Sequence, residues 1–92
     1  DFWSVVGQIE LEQYRAMVAR KIGPSRAHLE RLYRDLYERA KSARMWASVY
    51  DNAALVLGCY VGPRSSASSK ERAAADAILT LLRTFAHPED GQ

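Results

Sequence analysis

The sequence predicts an all-α protein of three helices, over about residues 4–22, 24–61 and 69–86, forming a helical bundle completed by self-association. Three observations carry that expectation. Apolar residues recur at steps of three and four along most of the chain, the spacing of one helix face. The strong breaks, Gly23-Pro24 and Gly62-Pro63, fall between those runs, and His87-Pro88 opens a polar tail over 87–92. The one strand-like stretch, with Gly7, Ile9 and Leu11 alternating with polar residues, has no second strand to pair with.

In the first helix Leu11, Tyr14, Val18 and Ile22 recur at helical spacing, with Met17 beside them. Phe2 and Trp3 precede it, as a clasp onto the core or as an exposed anchor for a partner. The second helix opens at Pro24, whose missing N–H costs nothing in a first turn. No Gly or Pro follows until after Leu57. Leu29, Tyr33, Leu36, Ala40, Ala43, Ala47, Tyr50, Ala54, Leu57 and Val61 then form a heptad stripe with a small-residue centre. Bulky Trp46, Val49, Val56 and Tyr60 lie beside it. The opposite face of the first half holds i,i+4 charge pairs such as Glu30–Arg34 and Arg34–Glu38.

Ser-rich residues 62–69 read as a solvated loop, and the third helix starts on a capping box. In that box Ser68 accepts the Glu71 N–H and Glu71 reaches back to the Ser68 N–H. Ala74, Ala77, Ile78, Leu81, Leu82 and Phe85 give it an apolar stripe up to Ala86, and Pro88 stops it.

An unbroken second helix of about 37 residues would be roughly 55 Å long. Its short neighbours could not cover both sides of the seam, and pairing long helices antiparallel in a homodimer would bury the remainder. A break near Ser42 or Asp51-Asn52 would instead give a compact four-helix monomer. The absence of Gly and Pro favours continuity.

The bulk numbers set the frame: 92 residues, 48% hydrophobic and 26% charged, with net charge +2 and one cysteine. They describe a single helical domain over 1–92, too short for two domains and too apolar for disorder. A chain of this size buries roughly 60–65% of its unfolded surface, so its core is thin. Cys59 has no disulfide partner and reads as a small core hydrophobe. His28 and His87 have no further ligand at metal spacing, so no metal or other cofactor is expected. The first residues lack the basic region of a signal peptide. The most apolar window, 43–61, holds Arg44, Asp51 and Asn52 and makes a poor bilayer span. A cytoplasmic location is the expectation.

No P-loop, nucleotide fingerprint or paired-carboxylate motif is present, and no catalytic residue or small-molecule ligand is expected. Asp51-Asn52 either faces solvent, sets register between subunits or lines a small pocket. Tyr33, Tyr37, Tyr50 and Tyr60 read as core-edge residues with wet hydroxyls. Leu32-Tyr33-Arg34 with Leu36 resembles the tripeptide that names the LYR family of small three-helix proteins. That resemblance implies iron–sulfur or respiratory assembly and binding of acyl carrier protein. In that family the tripeptide opens the first helix and a phenylalanine follows downstream. Here it falls in the second expected helix and the downstream Phe is distant Phe85, so no functional residue is carried over.

The expected function is therefore a non-enzymatic interaction module, an adaptor, assembly subunit or regulator. It would bind a second copy and another protein through an apolar helix face. The expected interface is Phe2, Trp3, Ala40, Ala43, Trp46, Ala47, Tyr50 and Tyr60, with Arg31, Arg34, Arg44 and Arg64 as a basic rim. The alternative is a helical nucleic-acid-associated protein using the basic N-terminal half. Nine of the 13 Lys/Arg fall in residues 1–46, but six acidic residues interleave with them.

Overall fold

The computed structural model describes residues 1–88, and the expected polar tail beyond Pro88 lies outside them. Four helices follow one another: α1 (Phe2–Val18), α2 (Ile22–Arg39), α3 (Ala43–Tyr60) and α4 (Ser69–Ala86). Among the described residues there is no strand. The expected three-helix count is therefore corrected to four. The last helix has its expected bounds; the first and second do not.

α1 starts two residues earlier than expected because Asp1 caps it, its carboxylate accepting the Ser4 N–H at 2.8 Å. It ends at Val18, four residues early, in a Schellman turn. The Lys21 N–H bonds the Ala16 carbonyl at 2.7 Å and the Arg20 N–H bonds that of Met17 at 3.0 Å. Arg20 takes the left-handed conformation there, at φ 59°. Ile22, expected on the first helix, instead opens α2 and is wholly enclosed.

The long second helix breaks at Ala40-Lys41-Ser42 with no Gly or Pro to force it. Tertiary burial overrides local propensity at this point. Ala40 swings to an extended conformation, and its carbonyl is taken by the Trp46 indole N–H at 2.7 Å. Ser42 then caps α3 by accepting the Met45 N–H at 3.3 Å. The molecule measures 35 × 26 × 19 Å, too short along every axis for a continuous 55 Å rod.

The break also shifts the phase of the stripe. α2 buries Leu29, Tyr33 and Leu36 as expected. α3 buries Trp46, Val49, Ala53 and Leu57, so two of the bulky residues expected beside the seam, Trp46 and Val49, turn inward, while Val56 and Tyr60 are half-buried. Ala47, Tyr50 and Ala54 of the expected seam are half-buried.

α1 packs on α2, α2 on α4 and α3 on α4. Trp46 is the centre of the core, edge-on to Phe2 at 5.3 Å and to Phe85 at 5.0 Å. Tyr37 stacks flat on Phe85 at 4.0 Å and closes one end. The buried Tyr33 hydroxyl donates to Gln13 of α1 at 2.9 Å, so the polar pair is satisfied inside the core. Burial, with Glu10 nearby, keeps that phenol protonated far above its ordinary range. Among the described residues no helix is long and apolar enough to cross a membrane.

Candidate functional site

Two regions remain after the core is accounted for: a polar junction at the α2 and α4 starts, and the outer face of α1.

The junction is built on Glu71. The expected capping box forms by half, since Ser68 accepts the Glu71 N–H at 3.2 Å. The Glu71 side chain does not return to Ser68. It crosses to the start of α2 and accepts the Ile22 N–H at 2.9 Å and the Gly23 N–H at 2.6 Å. It also accepts the Tyr60 hydroxyl at 2.7 Å. A carboxylate thus caps a helix 48 residues away in sequence, where the N-terminal dipole favours negative charge. Gly23 eases the approach, because a side-chain carbon there would sit 3.0 Å from a Glu71 oxygen and push it back by a few tenths of an ångström.

Burial pushes the Glu71 pKa up, but the bonds from Tyr60, Gly23 and Ile22 and the Arg20 charge outweigh it and hold it below the ordinary value. Arg20 lies over the Tyr60 ring at 5.4 Å. Next to it Arg72 donates to the carbonyls of Val61, Ser65 and Ala67, fastening the Ser-rich loop to α4. Shallow depressions of about 660 and 510 Å³ flank Arg20 on either side. Among the described residues no buried side-chain nitrogen or oxygen lacks a partner. The junction's polar groups are consumed in holding α2, α3, α4 and the loop together, which makes it a structural lock.

The outer face of α1 is the second region. Leu11, Tyr14 and Val18, the apolar residues that recur at helical spacing in this segment, are exposed. The buried face is Val6, Ile9, Gln13 and Ala16 instead. Trp3 and Gly7 extend the exposed stripe, so residues 3, 7, 11, 14 and 18 run along one side of the helix in steps of four and three. Leu55 is a separate exposed apolar residue on α3. It lies one turn on from Asn52, whose amide donates to Glu10 of α1 at 3.2 Å. Gly7 stands in open space, with nothing within 4 Å of where a side-chain carbon would be. Glycine inside an exposed helix costs roughly 0.5–1 kcal/mol relative to alanine, and nothing within the fold requires it here.

The other expected site residues are dispersed. Phe2 is half-buried against Trp46, as a clasp onto the core would be, while Trp3 next to it is 50% exposed. Trp46, expected on an interface, is fully enclosed and cannot meet a partner. Ala40, Ala43, Ala47, Tyr50 and Tyr60 are half-buried within the bundle. Arg31 and Arg34 are exposed on α2, Arg44 at the start of α3 and Arg64 in the loop. Glu30 bonds Arg26 at 2.9 Å rather than the expected Arg34. Asp51 and Asn52 face solvent, and His28 pairs with Glu12 at 2.9 Å on the surface.

Cys59 corrects another expectation, since it is exposed rather than core. The native protein is expected to react with a thiol reagent such as Ellman's at the rate of an open cysteine, with no lag for unfolding. Protection until denaturant is added would contradict its placement.

Fold and surface together define a small four-helix bundle with one uncovered apolar helix face. Compared with family models, curated proteins and solved structures, the chain matches none of them. Within the Leu32-Tyr33-Arg34 run, Tyr33 is a fully enclosed core residue bonded to Gln13. Among the described residues, no group of three or more His, Cys, Asp or Glu is placed to hold a metal ion.

Proposed function

We propose that the chain is a non-enzymatic protein–protein interaction module that works through the exposed face of α1. One observation carries this reading: Trp3, Leu11, Tyr14 and Val18 are large, apolar, exposed and aligned on one stripe of one helix. Soluble proteins scatter single apolar residues over their surfaces, whereas an aligned stripe marks a contact face. Helix-in-groove recognition uses anchors at this spacing. The α1 segment carries Glu10 and Glu12 against Arg15 alone, which suits a protein partner better than a polyanion. A reducing cytoplasmic setting suits the open Cys59 thiol.

Photocrosslinking in cells tests the reading. A photoreactive residue at Tyr14 should give covalent protein adducts that disappear when Leu11→Glu is added. The same residue at Arg34, on the outer side of α2, should give none. Equal capture at both positions would remove the reading. So would salt-sensitive retention on nucleic acid that Arg31→Glu with Arg34→Glu abolishes and Leu11→Glu leaves intact, because it would favour a nucleic-acid-associated protein instead.

A further inference from the structure

We infer that the partner of the α1 stripe is a second copy of the same stripe, packed antiparallel about a two-fold axis close to Leu11. This rests on the reading of that face as a protein-binding surface and names what it binds. The argument has three parts, taken from residue sizes, from Gly7 and from area.

The stripe is complementary to itself in one orientation. Turned end for end about Leu11, position 3 meets 18, position 7 meets 14, and Leu11 meets its own copy. The Tyr14 ring of one chain then lies over Gly7 of the other, and Trp3 lies over the smaller Val18. On either side of the central Leu11 pair a large side chain meets a smaller one, as close packing requires. In a parallel pair Trp3 would meet Trp3 and Tyr14 would meet Tyr14, while Gly7 opposite Gly7 would leave a void. Antiparallel packing also aligns the two helix dipoles favourably.

Gly7 supplies an independent pointer. Nothing inside the fold approaches it, as is also true of Gly58 on α3, so room outside the fold is open at this point of the stripe. In the antiparallel pair the partner's Tyr14, itself 58% exposed in the single chain, occupies that room.

The area is sufficient. A standard interface takes about 800 Å² from each partner, a little over half of it apolar, or roughly 450 Å². Trp3, Leu11, Tyr14 and Val18 are exposed by 42–67% each. At about 200 Å² for a large apolar residue they present roughly 430 Å², close to that share. A two-fold contact of this kind closes on itself and produces a dimer rather than a fibre.

Sedimentation equilibrium on the intact chain should show a monomer–dimer equilibrium with a dissociation constant that is micromolar or tighter. Leu11→Glu, at an exposed position, should keep its helical circular dichroism and sediment as a monomer. Gly7→Leu should move two readouts in opposite directions. It should raise the urea midpoint of the fold, since leucine favours helix, and weaken dimerisation by about tenfold or more by blocking Tyr14.

Orientation is read by disulfide trapping in a Cys59→Ser background. Leu11→Cys should oxidise to a covalent dimer. Val18→Cys should not cross-link with itself, because its two copies lie about 20 Å apart along the pair. A mixture of Trp3→Cys and Val18→Cys chains should cross-link. Self-linkage of Val18→Cys would overturn the antiparallel arrangement, and a dimer that Leu11→Glu leaves intact would overturn the face. A chain that stays monomeric at every concentration, yet still gives Leu11-dependent adducts at position 14, would remove the second copy as partner and leave the interaction module standing. Loss of both would remove both.

Discussion

Replacing Trp46 by alanine should cost about 3–5 kcal/mol, the range for deleting a large aromatic from a packed core. The fold as a whole is worth roughly 5–14 kcal/mol at this length, so a large part of its stability would be lost. The reasons are specific. The Trp46 ring is fully enclosed and is the common neighbour of Phe2, Tyr33, Tyr37 and Phe85, which come from α1, α2 and α4. Its indole N–H also holds the Ala40 carbonyl, which α2 leaves free where it ends. Urea unfolding followed by circular dichroism measures the loss. Trp46→Phe separates the two contributions: it keeps most ring contacts, drops the bond to Ala40, and should cost about 1–2 kcal/mol. A Trp46→Ala variant within about 1 kcal/mol of the parent would show that the core is not organised around this ring.

Trp46 also shows what local pattern could and could not convey. The helical periodicity on either side of it was legible, and so was the charged outer side of α2. α4 was legible to the residue, because Ser68, the apolar run and Pro88 all act within a few residues of each other. The turn at Ala40-Lys41-Ser42 was not, because its causes are long-range. It forms so that Trp46 can enter a core assembled from three other helices, and no local breaker advertises it. Once the turn is present, the stripe in α3 moves by one residue, which turns Trp46 and Val49 inward.

α1 departs from its expected pattern for a different reason. It carries two apolar stripes, Val6–Ile9–Ala16 and Trp3–Leu11–Tyr14–Val18, and the outer one holds the larger side chains. Gln13 sits on the inner stripe and breaks its apolar pattern. The Tyr33 hydroxyl donates to Gln13 and makes the inner face the buried one. The candidate contact face was therefore visible as a periodicity but not as an exposed side. Gly7, which reads as a weak point in a helix, was the local sign that this side is open.

Removing Glu71 should be the most damaging change outside the aromatic core. Glu71→Ala leaves the Ile22 and Gly23 N–H groups and the Tyr60 hydroxyl without their acceptor, at a junction where α2, α3 and α4 converge. Two orphaned amides and a hydroxyl at that level of burial should cost about 2–4 kcal/mol. Glu71→Gln keeps one acceptor oxygen and should cost roughly half as much. Acid distinguishes the charged carboxylate from a mere filler of space. The folded carboxyl has a lower pKa than the unfolded one, whose ordinary value is 4.5. Its contribution is therefore complete above about pH 4.5 and is lost as the pH falls through the lower folded value. The stability gap between the parent and Glu71→Gln, measured by urea unfolding, should hold steady from neutral pH to about pH 5 and shrink below pH 4.5. A gap that stays constant down to pH 3 would mean that the negative charge contributes nothing and that the neutral acid caps α2 equally well. A gap that widens in acid would reverse the sign of the shift and place Glu71 among carboxyls that folding prefers protonated.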